Sequence, residues 1–183
     1  MPSSNSMIRK VKARIRRRRM RRGLILLPVI LIALAILITT LYIPVLQVYG
    51  SSMNPTLSNQ DTVAVLRASG YSTGDIIAFK CQDQLLIRRV IAGPGNTVSM
   101  DTQGNVTVDG VLLDEPYVTE KDLGICTVAF PCQVPQGHYF VLSDLRSSSV
   151  DSRSSLVGFV PENDIIGKVF WVLLPLDDFG AIG

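Results

Sequence analysis

The sequence predicts a mostly β, antiparallel domain behind one N-terminal transmembrane helix, and three observations carry that expectation. A charge-free apolar run follows a basic tail. Beyond it, short β-like runs alternate with turns rich in glycine, proline and polar residues. No amphipathic helix of convincing length interrupts them. At 183 residues, 47% of them hydrophobic, the chain accommodates one domain of moderate core plus a membrane segment.

Residues 1–23 are the tail. Ten of the eighteen Lys and Arg residues lie between Arg9 and Arg22, in "RKVKARIRRRRMRR", with no acidic residue among them. Alone, such a run suits a nucleic-acid patch. The adjoining segment argues for a lipid bilayer as partner and against nucleic acid. Residues 24–48, "LILLPVILIALAILITTLYIPVLQV", carry no charge over 25 positions, enough at about 1.5 Å per residue to cross a hydrocarbon core of about 30 Å. The run is too long for a cleavable signal, and "IPVLQVYGSS" offers no good small-x-small site, so an uncleaved anchor is expected. The positive-inside rule keeps the tail cytoplasmic and places residues 49–183 outside the cytoplasm. From Gly23 onward, eight basic residues face fifteen acidic ones, a net of −7.

In that body the strand candidates are Thr62–Ala68, Asp75–Cys81, Gln84–Ala92, Asn96–Met100, Asn105–Leu113, His138–Asp144 and Asp164–Leu174. The turns between them include "SGYSTG", "GPGN", "DTQG" and "VPQG". Cys126 and Cys132, in "CTVAFPC", are spaced as in a small disulfide-stapled hairpin or are two unrelated core thiols, and both readings stay open. With one histidine and no Cys/His cluster, no metal and no cofactor are expected. The Ser-rich stretch "RSSSVDSRSS" reads by composition as a flexible loop.

One short stretch invites chemistry. "YGSSMNPTL" (Tyr49–Leu57) places Ser52 just past the apolar run, with Gly50 allowing a backbone turn and Pro55 stiffening the exit. A serine attacks a carbonyl only when a base takes its proton and donors hold the oxyanion. Residue types alone favour a turn former here.

Taken in order, "GSSMNPTL" (Gly50–Leu57), "GDIIAFK" (Gly74–Lys80), "IRRVIAGPGN" (Ile87–Asn96) and "SDLRSSSVDSR" (Ser143–Arg153) resemble the successive boxes of bacterial type I signal peptidases. The resemblance extends over nearly the whole chain. It implies a single-pass, plasma-membrane-anchored, mostly β serine peptidase that removes signal peptides from exported preproteins with a Ser/Lys dyad. It implies Ser52 as nucleophile, with its own N–H and the Gly50 position supporting the oxyanion. Ser149 is implied to orient the dyad base, and Asp144, Arg146, Asp151 and Arg153 to brace the active-site loop.

This sequence departs from that pattern where the chemistry is most sensitive, because Arg88 stands at the dyad lysine position. A buried lysine sheds its proton when desolvation lowers its pKa. A guanidinium, with a pKa above about 12, does not. Lys80, Lys168 and His138 are alternative bases, each read more simply as a structural residue. Ser143 and Leu145 replace a glycine and an asparagine of the last box. Two functions are then open: a working signal peptidase that cleaves after small-x-small sites, or a catalytically impaired relative that binds or helps assemble exported surface or pilus subunits.

Overall fold

Alternation in one strand sets up the architecture. In β3 (Ile76–Cys81), Ile76 and Ala78 enter one apolar cluster while Ile77 and Phe79 enter another. The period of two therefore buries this strand on both faces. The computed structural model describes residues 26–37, 43–147 and 150–182. The chain divides into two compact units, residues 1–42 and Ile43–Gly183.

In the first unit, residues 26–37 are helical with exposed side chains. No helix among the described residues is long and apolar enough to cross a membrane. The expected tail and residues 24, 25 and 38–42 of the expected span lie outside the described residues. The end of the apolar run is extended: past Pro44, whose ring removes a backbone donor, Val45–Gln47 forms β1 and pairs antiparallel with β2 (Thr62–Leu66).

The second unit holds two antiparallel sheets among the described residues. The larger one runs β1, β2, β11 (Ile165–Leu174), β3, β4 (Gln84–Ala92), β9 (His138–Leu142) and β10 (Val160–Pro161), with β12 (Gly180–Ala181) paired to β11. One of its apolar clusters gathers Met53, Leu57, Val63, Val65, Ile76, Ile87 and Val169. β4 pairs with β3 from Gln84 to Arg89 and meets β9 only from Arg89 onward. Gln84–Arg88 therefore has a second edge that no strand among the described residues covers. The smaller sheet is ordered β7 (Val111–Leu112), β6 (Val106–Val108), β5 (Thr97–Met100) and β8 (Cys132–Gln133).

One sequence reading changes here and one left open is decided. The single run Asn105–Leu113 is two strands folded at Asp109-Gly110, both residues having positive φ (50° and 80°). An Asp-Gly pair supplies the two left-handed residues that a two-residue hairpin requires. Cys126 and Cys132 are free thiols, and partial burial, with Cys126 nearby, raises the Cys132 pKa.

Candidate active site

Ser52 sits in a turn that the core holds from both sides. Val48, before it, is 4% exposed; Met53 and Leu57, after it, are 2% and 1% exposed. Gly50 has φ of +92°, in the left-handed region where a side chain is strained, and its N–H donates to Asn59 Oδ1 at 2.9 Å. The Ser52 carbonyl accepts the N–H of Leu145 at 3.0 Å, which ties this turn to the distant 143–153 loop.

Arg88 reaches Ser52 from β4. Its Nη1 donates to Ser52 Oγ at 2.9 Å and to the Ile87 carbonyl at 2.6 Å, while Nε and Nη2 both donate to the Val150 carbonyl at 3.1 and 2.9 Å. Arg88 is 5% exposed, and no carboxylate among the described residues forms an ion pair with it. Burial pulls its pKa down and the charge of Asp151 partly restores it. Below that lowered value the guanidinium is protonated in both folded and unfolded chains, so its burial cost does not change with pH across the ordinary range.

The remaining predicted residues form a buried brace. Arg89, next to Arg88, holds Asp144 through Nε and Nη2 at 2.9 and 2.7 Å, and Thr56 Oγ1 donates to the same carboxylate at 2.5 Å. Asp151 accepts Arg153 Nε and Nη2 at 2.9 and 2.8 Å and the Ser143 N–H at 3.1 Å. Arg146 pairs with Glu115, and the Arg146 carbonyl accepts Arg153 Nη2 at 3.0 Å. These side chains are almost wholly buried yet paired, which is the condition under which buried charges are tolerated. Ser149 lies outside the described residues. Of the two departures in this loop, Ser143 has a buried hydroxyl with no hydrogen-bond partner among the described residues, and Leu145 donates its backbone N–H to the Ser52 carbonyl.

The alternative bases are elsewhere. Lys80 is exposed at the end of β3, Lys168 pairs with Asp75, and His138 Nδ1 meets the Gln136 carbonyl at 2.9 Å. None of the three hydrogen-bonds Ser52. Sequence reasoning missed Thr56, Arg89, Glu115, Tyr117 and Gly124 as parts of the site. The Tyr117 ring lies 3.9 Å from the Arg89 guanidinium, and burial raises its phenol pKa. A Cβ at Gly124 would meet Arg153 Nη1 at 2.8 Å. Thr56 and Arg89 stand inside family-like boxes, which was the one signal that could have found them; Glu115, Tyr117 and Gly124 lie between boxes.

Ser52 and Arg88 line a cavity of about 570 Å³ together with Val45–Tyr49, Met53 and Gln84–Ile87. Its lining thus draws on the edge strand β1 and on the uncovered stretch of β4. An extended peptide can add to such edges by main-chain hydrogen bonds.

Residues 21–174 match the family described as signal peptidase, peptidase S26. The chain is similar to a signal peptidase I of Bacillus amyloliquefaciens, 35% identical over 163 residues that cover 82% of this chain and 83% of the relative. It is also similar to signal peptidase I U of Bacillus subtilis (strain 168), 33% identical over 178 residues covering 90% of this chain and 94% of that one. The crystal structure of a signal peptidase I from Enterococcus faecalis V583, 30% identical, matches 55% of this chain and 97% of its own with a TM-score of 0.46.

Proposed function

The chain belongs to the signal peptidase, peptidase S26, family, and from that premise we propose that it is a membrane-bound serine endopeptidase removing N-terminal signal peptides from exported preproteins after small-x-small sites. The helix of residues 26–37 and its apolar flanks are the anchor, with the basic tail cytoplasmic and the β unit outside. The observation that carries the reading is the 2.9 Å contact between Ser52 Oγ and Arg88 Nη1 in an edge-strand groove.

The preprotein lies extended between β1 and the uncovered edge of β4. Ser52 Oγ attacks the carbonyl at the scissile bond, and the Ser52 N–H, which has no acceptor among the described residues, faces the developing oxyanion. The acyl–oxygen bond forms, the carbon–nitrogen bond breaks, and the amine leaves with a proton from water. Arg88 cannot take the Ser52 proton. As a fixed cation donating to Oγ, it instead favours the alkoxide, and the proton passes to solvent water or hydroxide. Turnover is therefore expected to climb with pH through the neutral and mildly alkaline range without levelling off.

Preprotein cleavage in detergent by wild type, Ser52→Ala and Arg88→Lys tests this. Wild-type activity that rises with pH, vanishes in Ser52→Ala and gains a plateau in Arg88→Lys supports the peptidase. A silent wild type beside an active Arg88→Lys sinks it. That outcome would favour the second reading, a catalytically impaired relative binding exported subunits, for which Arg88 itself is the motivating observation.

A further inference from the structure

Four arginines meet around the Ser52 loop, and three of them have a carboxylate: Arg89 has Asp144, Arg146 has Glu115, and Arg153 has Asp151. Among the described residues Arg88 has two carbonyls and a hydroxyl instead. Asp151, whose charge it feels, is already engaged by Arg153 and the Ser143 N–H. A buried guanidinium without a counter-ion carries an unmatched positive charge, which an anion in hydrogen-bond reach stabilises more than it would in water. Four of its five hydrogens are engaged by the two carbonyls and the hydroxyl, and the fifth, on Nη2, has no acceptor among the described residues. Ser52 adds two more donors, its N–H and its hydroxyl hydrogen, neither of which has an acceptor among the described residues.

We infer that the Arg88–Ser52 part of the groove is a binding site for the free α-carboxylate of a peptide lying along β1 and β4, so that this chain holds peptide acids in preference to peptides without a terminal charge. The inference rests on the proposed use of the groove for peptides and not on turnover. Hydrolysis of the Ser52 ester leaves the released signal peptide with a new carboxylate at this spot, and the same chemistry applies to any peptide with a small C-terminal residue. A lysine at position 88 is a neutral amine when it serves as base, so it offers no fixed charge there. Arg88 offers one at every working pH.

The measurement is binding of a labelled apolar peptide ending in Ala-x-Ala to the full chain in detergent, as the free acid and as the amide, by fluorescence anisotropy. A charge-assisted contact gives wild type a preference for the acid of about tenfold or more, unchanged from pH 6 to pH 9. The preference disappears in Arg88→Gln and becomes pH-dependent in Arg88→Lys, while Lys80→Gln, which removes an exposed charge outside the groove, leaves it intact. Equal affinity for acid and amide overturns the inference, as does failure of both to bind at millimolar concentration. Cleavage of preproteins with equal acid and amide affinity ends this inference alone. Preference for the acid without any Ser52-dependent cleavage ends the peptidase reading alone.

Discussion

At the scale of the residue, the loop beside Ser52 carries one side chain that its surroundings do not satisfy. Ser143 is fully buried and its hydroxyl has no partner among the described residues, although its N–H is held by Asp151. A buried hydroxyl without a hydrogen bond keeps its desolvation cost. Ser143→Ala is accordingly expected to raise stability by about 1 kcal/mol, read as a shift of the urea midpoint at unchanged slope; a decrease would mean that the hydroxyl has a partner after all. Single residues were unevenly legible in the sequence. Ser52 and Arg88 stood out because their boxes fix them by local context. Thr56 did not, because its role is to bond Asp144 across 88 residues, and Glu115 did not, because it meets Arg146 across 31. A side chain whose partner is that distant in sequence leaves no spacing to read.

At the scale of the element, strands declared themselves where alternation was long and failed to where it was short. The expected strand Gln84–Ala92 has the same bounds as β4. β1 was absorbed into the apolar run, since three apolar or neutral residues at the end of a span carry no period of their own. The hairpin of β6 and β7 reads in the sequence as one strand although its Asp-Gly turn is present. That turn has a measurable pH signature. Asp109 accepts the Thr97 N–H at 2.7 Å and the Asn96 side-chain amide, and these bonds hold its carboxyl below the ordinary value. A lowered folded pKa contributes stability above the unfolded pKa of about 3.9 and loses it as pH falls through the folded value. Hydrogen exchange at the Thr97 amide is therefore expected to accelerate selectively below about pH 4, and Asp109→Asn, which keeps the left-handed turn, to remove that dependence. An unchanged profile in Asp109→Asn would assign the acid sensitivity to another group.

At the scale of the whole molecule, the apolar clusters draw their buried residues from position 48 onward, so the β unit holds a complete core of its own. A chain beginning at residue 40 is expected to keep its near-UV circular dichroism and thermal midpoint while failing to float with liposomes that the full chain accompanies. Loss of the folded signal would show that the first unit is needed for folding. Flotation of the shortened chain would move membrane attachment to the β unit. The mostly β class was legible from the sequence because turns recur between apolar runs. The division into two sheets was not, since strand order depends on pairings such as β11 between β2 and β3, which join opposite ends of the chain.

The roots of the Ser52 turn have one further consequence. With Met53 and Leu57 sealed in the core and the Ser52 carbonyl held by Leu145, the turn loses its conformational entropy when the chain folds, not when a peptide arrives. The reacting oxygen is preorganised, so the entropic cost of association falls mainly on the incoming chain, and stiffening that chain in an extended form is the modification that lowers the cost.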